Sequence, residues 1–400
     1  MTSGMLDGLT VLDFTRVLAG PYCTRLLADL GARVIKIERP VYGDETRVLY
    51  LQLDEERTDQ SSYFVRLNAG KESVAIDLAQ AQARELVLDL ARAADVLIEN
   101  FVPGIMARHK LDYSAVSAAN PAIVYCSISG YGQTGPLRDR PAFAHLINAA
   151  SGAMDIERQG EPEPRVAYMQ SADALAGAHA FGLVLAAIHR RQRTGLGAYL
   201  DVSMLQSLWG AEDIGIAAAL NGGKFTQTPR VGMVIHTIKG RQIALQFIAG
   251  GPTWDRLLAV MGEDAPAGAE RFSTMQGRRD HWPELRTLIC EWLERFESVD
   301  AAVEALSAAR VPCAPVRSME EAIAHPHMAA RQAFTMIPHP TRGEVCVTSA
   351  PFHVDGAPVP ARGPAPYRAG EHTRAILTGM LGYSAERIEA LLRSGTVAEP

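Results

Sequence analysis

The sequence predicts an α/β fold with a large, doubly wound parallel-sheet domain and a second, smaller α+β domain. Two observations predict it. Between residues 9 and 203, short apolar runs alternate with helical patterns, and this alternation is typical of a parallel sheet covered by helices on both faces. Near residue 222 the pattern changes to two strands followed by amphipathic helices, which indicates a separate domain.

The first β-α-β unit has the clearest signals. The apolar run 9–14 predicts a strand, the pattern from Gly20 predicts a helix, and the run 34–37 predicts the next strand. Pro21 lies in the first turn of this helix and Gly31 follows its last apolar position. Proline at the start and glycine at the end are the usual boundary signals of a helix.

The remaining elements are predicted from the same patterns. In the large domain, strands are expected at 73–78, 96–98, 122–128 and 199–203, with helices at 80–93 and 173–191. The second of these helices is almost wholly apolar, so we expect it to be buried. In the small domain, strands are expected at 231–238 and 242–248 and helices at 253–262, 282–296 and 299–309.

The domain division follows from these elements. We assign 1–221 to the large domain and 222–336 to the small domain. Prolines recur between 351 and 366, which predicts an extended connector before a last helix at 370–381. The segment 337–400 therefore comprises the connector and a C-terminal helix.

Composition and charge exclude several classes of protein. The 400 residues are 48% hydrophobic and 21% charged, as in ordinary globular proteins. The formal net charge of −6 predicts no nucleic-acid partner, because such binding depends on a basic face. The five cysteines form no C-x-x-C pair, so we expect no disulfide framework, no thiolate metal site and a reducing cytoplasm.

Membrane and export signals are also missing from the pattern. The N-terminal residues lack the basic and apolar regions of a signal peptide. The longest apolar run, 174–188, is interrupted by His179 and is shorter than a membrane span requires. We therefore expect a cytoplasmic protein without a membrane partner.

A glycine-rich segment offers one functional alternative. Gly130, Gly132 and Gly135 form a G-x-G-x-x-G pattern directly after a predicted strand. Such a pattern suggests an NAD-linked oxidoreductase, provided that a helix begins at its end. Pro136 and Pro141 follow instead, so a glycine-rich loop is the favoured interpretation.

Asp173 has two interpretations. It lies at the start of the apolar helix, where Ser171 could be the N-cap and Asp173 a first-turn acid that favours the helix dipole. The same position would suit a nucleophile, because helix N-H groups point into the adjoining cleft and keep a partly buried carboxylate ionised.

Polar and cationic residues follow the predicted strands. Arg39 follows one strand, Asn100 and Phe101 follow another, and Arg108 lies a few residues further on. Ligands of open parallel sheets bind beyond the carboxyl ends of the strands, so these residues are candidates for a phosphate-bearing ligand. Ordinary solvated arginines remain an equally good interpretation.

Taken in order, the motifs of this chain resemble those of family III CoA-transferases, the group of formyl-CoA transferase and carnitine CoA-transferase. The matching segments are LDFTRVLAGP (12–21), LGARVIKIE (30–38), ENFVPG (99–104), SISGYGQTGP (127–136), RTGLG (193–197), DVSM (201–204), VPCAPV (311–316) and GEHT (370–373). The resemblance extends from end to end, and several motifs in one order are far more specific than any single one.

The resemblance implies a covalent mechanism. Asp173 and Gly177 are similar to the Asp-x-x-x-Gly segment that carries the family's nucleophile. Asp173 would attack an acyl-CoA thioester to give an aspartyl anhydride, and CoA would return to make an aspartyl-CoA thioester. An acceptor carboxylic acid would then take the CoA. The expected small-molecule partners are acyl-CoA and a carboxylic acid, with no permanently bound cofactor and no metal.

The resemblance also implies a set of CoA and substrate contacts. The expected CoA contacts are Val17, Leu18 and Ala19 near the thiol, Arg39 and Arg108 at the phosphates, Ile76, Leu78 and Ala79 at the adenine, and Asn100 and Phe101 in the cleft wall. The expected substrate pocket comprises Phe143, His145 and Gly132. Relatives often carry a basic residue where this chain has Ala79, and Lys71 or Arg47 could substitute for it.

The family fold is a Rossmann-like domain built from both termini, and two ring-like chains interlock as a homodimer. A branch of the same superfamily, the α-methylacyl-CoA racemases, uses a histidine and a distant carboxylate as acid and base. Phe143 falls where that histidine would be, although His145 is only two residues away. A racemase, a CoA-binding protein without turnover and an NAD-linked oxidoreductase therefore stay open as alternatives to the transferase.

Overall fold

A computed structural model describes residues 4–158, 161–212, 215–223, 231–247, 252–266 and 269–400. The chain forms two compact units: unit 1 is Met1–Asp155, Arg165–Lys224 and His327–Pro400, and unit 2 is Ile156–Pro164 and Phe225–Pro326. The short excursion Ile156–Pro164 has no counterpart in the division predicted from the sequence. The predicted strand end at Ile248 lies outside the described residues.

The strands of the described residues fall into four sheets. They are β1 (Thr10–Asp13), β2 (Arg33–Glu38), β3 (Lys71–Ile76), β4 (Val96–Glu99), β5 (Val124–Ser129), β6 (Ala198–Ser203), β7 (Met233–Ile238), β8 (Arg241–Gln246), β9 (Cys313–Pro315), β10 (Phe334–His339), β11 (Gly343–Thr348), β12 (His353–Val354), β13 (Ala357–Pro358) and β14 (Val397–Ala398).

The helices of the described residues connect these strands and cover the main sheet. They are α1 (Ala19–Asp29), α2 (Ser62–Asn68), α3 (Ala83–Arg92), α4 (Ile105–Arg108), α5 (Tyr113–Ala119), α6 (Ala144–Ser151), α7 (Ala153–Glu157), α8 (Ser171–Thr194), α9 (Met204–Ala211), α10 (Gly215–Leu220), α11 (Pro252–Met261), α12 (Met275–Asp280), α13 (Trp282–Leu293), α14 (Val299–Ala308), α15 (Met319–Ile323), α16 (Pro326–Ala330), α17 (Thr373–Gly379) and α18 (Ala385–Arg393).

The main sheet of unit 1 is almost wholly parallel. Within the described residues its strand order is β14-β3-β2-β1-β4-β5-β6, and only β14 is antiparallel to its neighbour β3. The order runs outward in both directions from β1 and β4, so the switch point of the sheet lies between these two strands. Ligands of doubly wound sheets bind beyond the carboxyl ends of the strands at this point. The predicted parallel-sheet core is confirmed.

Alternate residues of the strands feed two apolar layers. Val11 and Ile98 face one layer together with helices α1 and α8. Leu12 and Leu97 face the other layer, with helices α3, α5, α17 and α18. The near-continuous apolar strands in the sequence follow from this, because a sheet covered on both faces buries most side chains of its inner strands.

Helix α8 is buried on one side only, so the burial expected from its apolar sequence holds for one face of the helix. Ala172, Ala176 and Val184 pack in the layer beneath the sheet, whereas His179 and Leu183 are exposed. By length and composition α8 could cross a membrane, and it is the single described helix of which this is true. Its packing against β5, β6 and α1 is that of a core helix in an α/β domain.

The C-terminal region differs from the single helix expected at 370–381. Two helices, α17 and α18, are followed by β14, and Val397 pairs with Ile76 at the edge of the main sheet. The end of the chain thus completes a sheet that the first residues began. Both termini build unit 1, as the resemblance implied.

Unit 2 is an α+β unit with its own core. Strands β7, β8 and β9 form an antiparallel sheet among the described residues. Aromatic side chains dominate the core beside it, namely Phe247, Trp254, Phe272, Trp282 and Trp292. The predicted change of pattern near residue 222 reflects this separate core.

Candidate active site

Two clefts open at the switch point of the sheet. The first cleft, of about 300 Å³, is lined by residues that follow β1, β2, β3 and β4. The second cleft, of about 340 Å³, is lined by residues that follow β1, β4 and β5, and by Asp173 of α8. Arg16, Phe101 and Ile105 line both clefts, so the two adjoin. An elongated ligand could occupy both.

The clefts collect most of the residues predicted from the sequence. The first cleft is lined by Arg39, Ile76, Leu78, Ala79 and Phe101. The second is lined by Val17, Ala19, Asn100, Phe101, Phe143 and Asp173. Leu18, Arg108, Gly132 and His145 line neither cleft. Leu18 is buried and Arg108 is exposed at the end of α4.

Asp173 lies in the first turn of α8, half-buried, and lines the second cleft. Burial raises the pKa of its carboxyl to about 6, although the backbone amides of Ala19 and Ala144 and the charge of His145 act in the opposite direction. Gln170 is the N-cap and makes no side-chain cap bond, so the expected capping by Ser171 is wrong. The backbone N-H groups of Ala19 and Ala144, from two other segments, lie close enough to the carboxylate to lower its pKa.

Gly177 explains the spacing of the Asp-x-x-x-Gly segment. It lies one turn after Asp173, on the same side of α8. A Cβ atom added to Gly177 would stand 2.4 Å from the carbonyl oxygen of Ala19, much closer than atoms of this kind can approach. Glycine thus allows the start of α1 to pack on α8, which brings the Ala19 amide to the Asp173 carboxylate.

The segment that precedes α1 has an unusual backbone. Val17 has a φ of 67°, in the left-handed region that β-branched residues almost never adopt. Asn100 fixes the backbone of the preceding residue, Arg16. Its Oδ1 accepts from the Arg16 N-H at 2.8 Å, and its Nδ2 donates to the Arg16 carbonyl oxygen at 2.8 Å. The Val17 N-H points to Asp44 Oδ1 at 3.4 Å. Both polar atoms of the Asn100 side chain are therefore hydrogen-bonded to this segment.

Buried ion pairs lie next to the segment that precedes α1. Lys36 Nζ donates to the Thr15 carbonyl at 2.7 Å and lies 2.9 Å from Asp44 Oδ2. Lys71 Nζ lies 3.0 Å from Asp13 Oδ2, and the pKa of Lys71 is lowered to about 8, mainly by burial.

Neither Lys71 nor Arg47 can supply a cation in place of Ala79. Lys71 is fully buried against Asp13. Arg47 is equally buried and makes two 2.7 Å bonds to the carboxylate of Glu38. The suggestion that either residue substitutes for the missing base is wrong. His109, which sequence reasoning missed, lines the first cleft instead.

Arg16 stands where the two clefts meet. Its guanidinium lies 4.7 Å from the centroid of the Phe101 ring, and its Nη1 is 3.2 Å from Glu45 Oε1. Arg39 lies 3.9 Å from the same carboxylate. The sequence offered no signal for Arg16 beyond its position inside a matched motif.

Glu99 shapes the turn after β4. It is buried, and burial raises its pKa to about 7, while Ser127 and the backbone N-H of Phe101 lower it. The Phe101 N-H donates to Glu99 Oε2 at 2.8 Å. This bond tightens the turn that presents Asn100 and Phe101 to the clefts.

Three further residues were missed by sequence reasoning. Tyr63 lies close to Asp173, whose charge is among the causes that raise the Tyr63 pKa to about 12, burial being the largest. Arg138 and Arg140 line the second cleft. Their only signal in the sequence was the charged run that ends at Pro141.

The glycine-rich segment after β5 is a loop. No helix begins between Gly130 and Ala144, so the helix N-terminus on which a dinucleotide pyrophosphate would rest is missing from this described stretch. Gly132 has a φ of 89°, and the next amide, that of Gln133, donates to Asp201 Oδ2 at 3.0 Å. The loop interpretation is confirmed by this geometry.

Comparison with known proteins agrees with the resemblance seen in the sequence. Residues 6–373 match the family described as CoA-transferase family III. A formyl-CoA:oxalate CoA-transferase of Streptomyces coelicolor is 30% identical over 418 residues, covering 99% of this chain and 100% of that protein. The succinyl-CoA:glutarate CoA-transferase of Homo sapiens is 30% identical over 399 residues, covering 98% of this chain and 90% of that protein.

Solved structures show the same fold. A CAIB/BAIF family protein from Brucella suis superimposes with a TM-score of 0.80 at 28% identity, covering 95% of this chain and 100% of that one. A hypothetical protein from Mycobacterium tuberculosis gives a TM-score of 0.80 at 27% identity, covering 94% and 99%. Together with the family match over nearly the whole sequence, these likenesses establish that the chain belongs to CoA-transferase family III and is an enzyme of CoA transfer.

Proposed function

We propose that this enzyme moves CoA from an acyl-CoA to a carboxylic acid with Asp173 as its nucleophile. The observation that carries the proposal is the setting of Asp173 in the second cleft, beside the amides of Ala19 and Ala144. Its pKa of about 6 leaves the carboxylate mostly ionised at neutral pH. Partial burial strips water from that carboxylate, which makes it a better nucleophile than a solvated one.

The exchange proceeds through two covalent forms of Asp173, a mixed anhydride and a CoA thioester. An Asp173 oxygen attacks the thioester carbonyl, the C-S bond breaks, and CoA leaves as the thiolate. The thiolate attacks the Asp173 carbonyl of the anhydride and releases the donor acid, which leaves an aspartyl-CoA thioester. An acceptor carboxylate attacks that thioester and expels the thiolate, which then takes the acceptor acyl group and frees Asp173. No ATP is needed, because one thioester replaces another.

The backbone donors have a defined role in these steps. Each attack on the aspartyl carbonyl places negative charge on its oxygen. The amides of Ala19 and Ala144 act on the Asp173 carboxylate in the resting enzyme and lower its pKa, so they are placed to stabilise that charge. Loss of a single donor of this kind typically costs about 100-fold to 1000-fold in rate.

We propose that the nucleotide part of CoA occupies the first cleft and the thioester the second. Arg39 and His109 line the first cleft and are the proposed phosphate contacts, and Ile76 and Leu78 supply an apolar wall for the adenine. The junction at Arg16 and Phe101 would then surround the pantetheine arm. Arg108, exposed and outside both clefts, has no part in this arrangement.

The proposed assembly is an interlocked homodimer in the cytoplasm, with no permanently bound cofactor. Its support is the apolar surface that unit 1 leaves uncovered, where Tyr168, Met169 and Leu183 are exposed. All five cysteines are among the described residues and are free thiols, as a reducing compartment maintains them. Light scattering at several protein concentrations tests the dimer, and a monomer would contradict it.

Peptide mass spectrometry tests the nucleophile. After incubation with a panel of acyl-CoAs and trapping with hydroxylamine or borohydride, we expect modification at Asp173. Asp173→Asn should bind CoA without forming an adduct or transferring CoA. Asp300→Asn is the matched control, because Asp300 is also a first-turn helix acid but lies in unit 2. Normal exchange by Asp173→Asn would contradict the proposal.

One observation favours a second candidate function, the racemisation of an α-branched acyl-CoA. The His145 imidazole acts electrostatically on Asp173, so two acid-base groups are near each other. One would remove the α-proton and the other would return a proton to the opposite face. Deuterium uptake from heavy water at the α-carbon, abolished in His145→Ala and without any adduct at Asp173, would select this function over the transferase.

A further inference from the structure

Three polar residues stand side by side at the carboxyl end of the main sheet. Glu99 of β4 is in register with Ser127 of β5, and Ser127 is in register with Asp201 of β6. Residues paired in this way on neighbouring strands share one face of the sheet. Glu99 and Ser127 are buried, whereas Asp201 is exposed on the edge strand. This set, the carboxylate row, therefore runs from the interior of the sheet to its edge.

Each carboxylate of the row accepts from the backbone of a segment that reaches the clefts. Glu99 Oε2 accepts from the Phe101 N-H at 2.8 Å, and Phe101 lines both clefts. Asp201 Oδ2 accepts from the Gln133 N-H at 3.0 Å, in the loop that follows β5. The Ser127 hydroxyl lies between them and bonds to Glu99. The row lines neither cleft itself, so it acts on a ligand only through these segments.

The ionisable groups around Glu99 are all acids. On the two neighbouring strands and at the start of α5 they are Tyr125, Cys126, Tyr199, Asp201, Tyr113 and Asp112. On its other side the chain after β1 presents the apolar Phe14. Burial and the charge of Asp201 raise the pKa of Glu99 to about 7, although the Ser127 hydroxyl and the Phe101 N-H lower it. Glu99 therefore has hydrogen-bond donors but no balancing cation within the part of the chain that the structure describes.

Ser127 also connects Glu99 to the surface. The Tyr199 hydroxyl donates to Ser127 Oγ at 3.4 Å, and Tyr199 is 42% exposed. Tyr113 stacks on the Tyr199 ring with 5.2 Å between the centroids, which fixes the position of that ring. These hydroxyl groups form a path along which the proton of Glu99 can exchange with solvent.

We propose that Glu99 is a positioning residue for CoA, which holds the turn at Asn100 and Phe101 in the form that binds CoA only while Glu99 is a carboxylate. This inference rests on the proposed placement of CoA in the two clefts. A carboxylate accepts a stronger hydrogen bond from an N-H group than a protonated carboxyl does. Protonation of Glu99 thus loosens the turn, and with it the contacts that Asn100 and Phe101 make to Arg16.

Calorimetric titration with CoA between pH 6 and pH 8 tests this role without any turnover. The ionised form above pH 7 holds the turn, so the affinity of the wild type should rise with pH by about 3-fold to 10-fold, the usual difference between a charged and a neutral hydrogen bond. By reciprocity, CoA binding at pH 7 should release a proton. Glu99→Gln keeps an uncharged acceptor, so it should bind at the low-pH level throughout. Other groups that titrate in this range affect both proteins, and the difference between the two curves isolates Glu99.

The neighbours of Glu99 supply variants that leave Glu99 itself intact. Asp201→Asn removes a charge that raises the pKa of Glu99, so the midpoint of the affinity curve should move to lower pH. Ser127→Ala removes a bond that favours the carboxylate, so the midpoint should move to higher pH. General damage to the fold would not produce opposite shifts. Glu389→Gln is the control, since Glu389 is an exposed carboxylate of α18 paired with Arg374.

Four outcomes would overturn the assignment. A wild-type affinity that falls or stays constant as the pH rises would remove the link between Glu99 and CoA. An unchanged pH dependence in Glu99→Gln would assign that dependence to another group. Shifts of the same direction in Asp201→Asn and Ser127→Ala would mean that the row has a purely structural role. A wild type that binds no CoA would overturn the proposed placement of CoA, and this inference with it.

Discussion

The side chain of Asn100 makes two hydrogen bonds of 2.8 Å to the backbone of Arg16, accepting from its N-H and donating to its carbonyl oxygen. Asn100 follows β4 and Arg16 follows β1, so this contact bridges the switch point of the sheet. It also stabilises the strained backbone at Val17, two residues before the Ala19 amide that reaches Asp173. The contact thus connects the junction of the two clefts to the proposed nucleophile.

We expect Asn100→Ala to lower kcat far more than it weakens CoA binding. Without the two hydrogen bonds from Asn100, the strained segment at Val17 relaxes and the Ala19 amide moves away from Asp173. A misplacement of about 1 Å at a group in the active site costs on the order of 100-fold in rate. Steady-state kinetics and calorimetric CoA titration separate the two effects. Asn221→Ala is the control, since Asn221 is exposed directly after α10 and its side-chain amide donates to the Ala217 carbonyl. Equal losses in CoA affinity and kcat would contradict the positioning role.

Gly177→Ala should impair both folding and catalysis. The added Cβ would meet the Ala19 carbonyl at 2.4 Å, so the start of α1 must shift away from α8. We expect a loss of about 1–3 kcal/mol in the free energy of unfolding.

Gly182 provides the matched control for this change on the same helix. A Cβ at Gly182 meets no described atom within 4 Å. Alanine there should therefore raise the free energy of unfolding by about 0.5–1 kcal/mol, as in helix interiors generally. Urea unfolding measures both variants, and similar effects of the two substitutions would refute the packing argument.

The raised pKa of Asp173 predicts a trade between stability and activity. The folded-state pKa is about 6 against an ordinary 3.8, so the folded chain binds this proton more tightly than the unfolded chain does. The stabilising effect of that proton is complete below pH 4 and is lost as the pH rises through 6. Asp173→Asn removes the buried charge, so it should stabilise the protein at pH 8 by about 1–3 kcal/mol.

The same comparison at low pH supplies the control. At pH 4 the wild-type carboxyl is protonated in the folded state, so the two proteins should unfold with similar free energies. Chemical unfolding at both pH values tests this. An Asp173→Asn variant that is less stable than wild type at pH 8 would show that the carboxylate is stabilised by its surroundings, not strained by them.

Arg39 and Arg108 should differ in their effect on CoA. Both were expected at the phosphates, yet only Arg39 lines the first cleft. Arg39→Gln should weaken CoA binding about tenfold, the usual effect of one charged hydrogen bond. Arg108→Gln should leave the dissociation constant unchanged. A weakening by Arg108→Gln alone would place the phosphates outside the first cleft.

Sequence periodicity was enough to predict the six parallel strands β1–β6 and the helices α1, α3 and α8, but not β14 at the edge of the sheet. Its apolar runs are long because both faces of the sheet are covered, and the helix before Gly31 has regular boundary signals. Asp173 was singled out because Asp173 and Gly177 resemble the short Asp-x-x-x-Gly segment that carries the nucleophile of family III CoA-transferases. These features depend on residues close together in the chain.

Tertiary structure alone decided which polar groups are free for a ligand. Lys71 and Arg47 are cations like any others in the sequence, but distant carboxylates have already engaged them. Arg108 and His109 are neighbours, and only the second lines a cleft. The hydrogen bonds between Asn100 and Arg16 join residues that are 84 positions apart in the chain. Local sequence patterns determine the tendency of a segment to form a helix or a strand. The hydrogen-bond and ion-pair partners of its polar residues depend instead on the order in which the strands pack in the sheet.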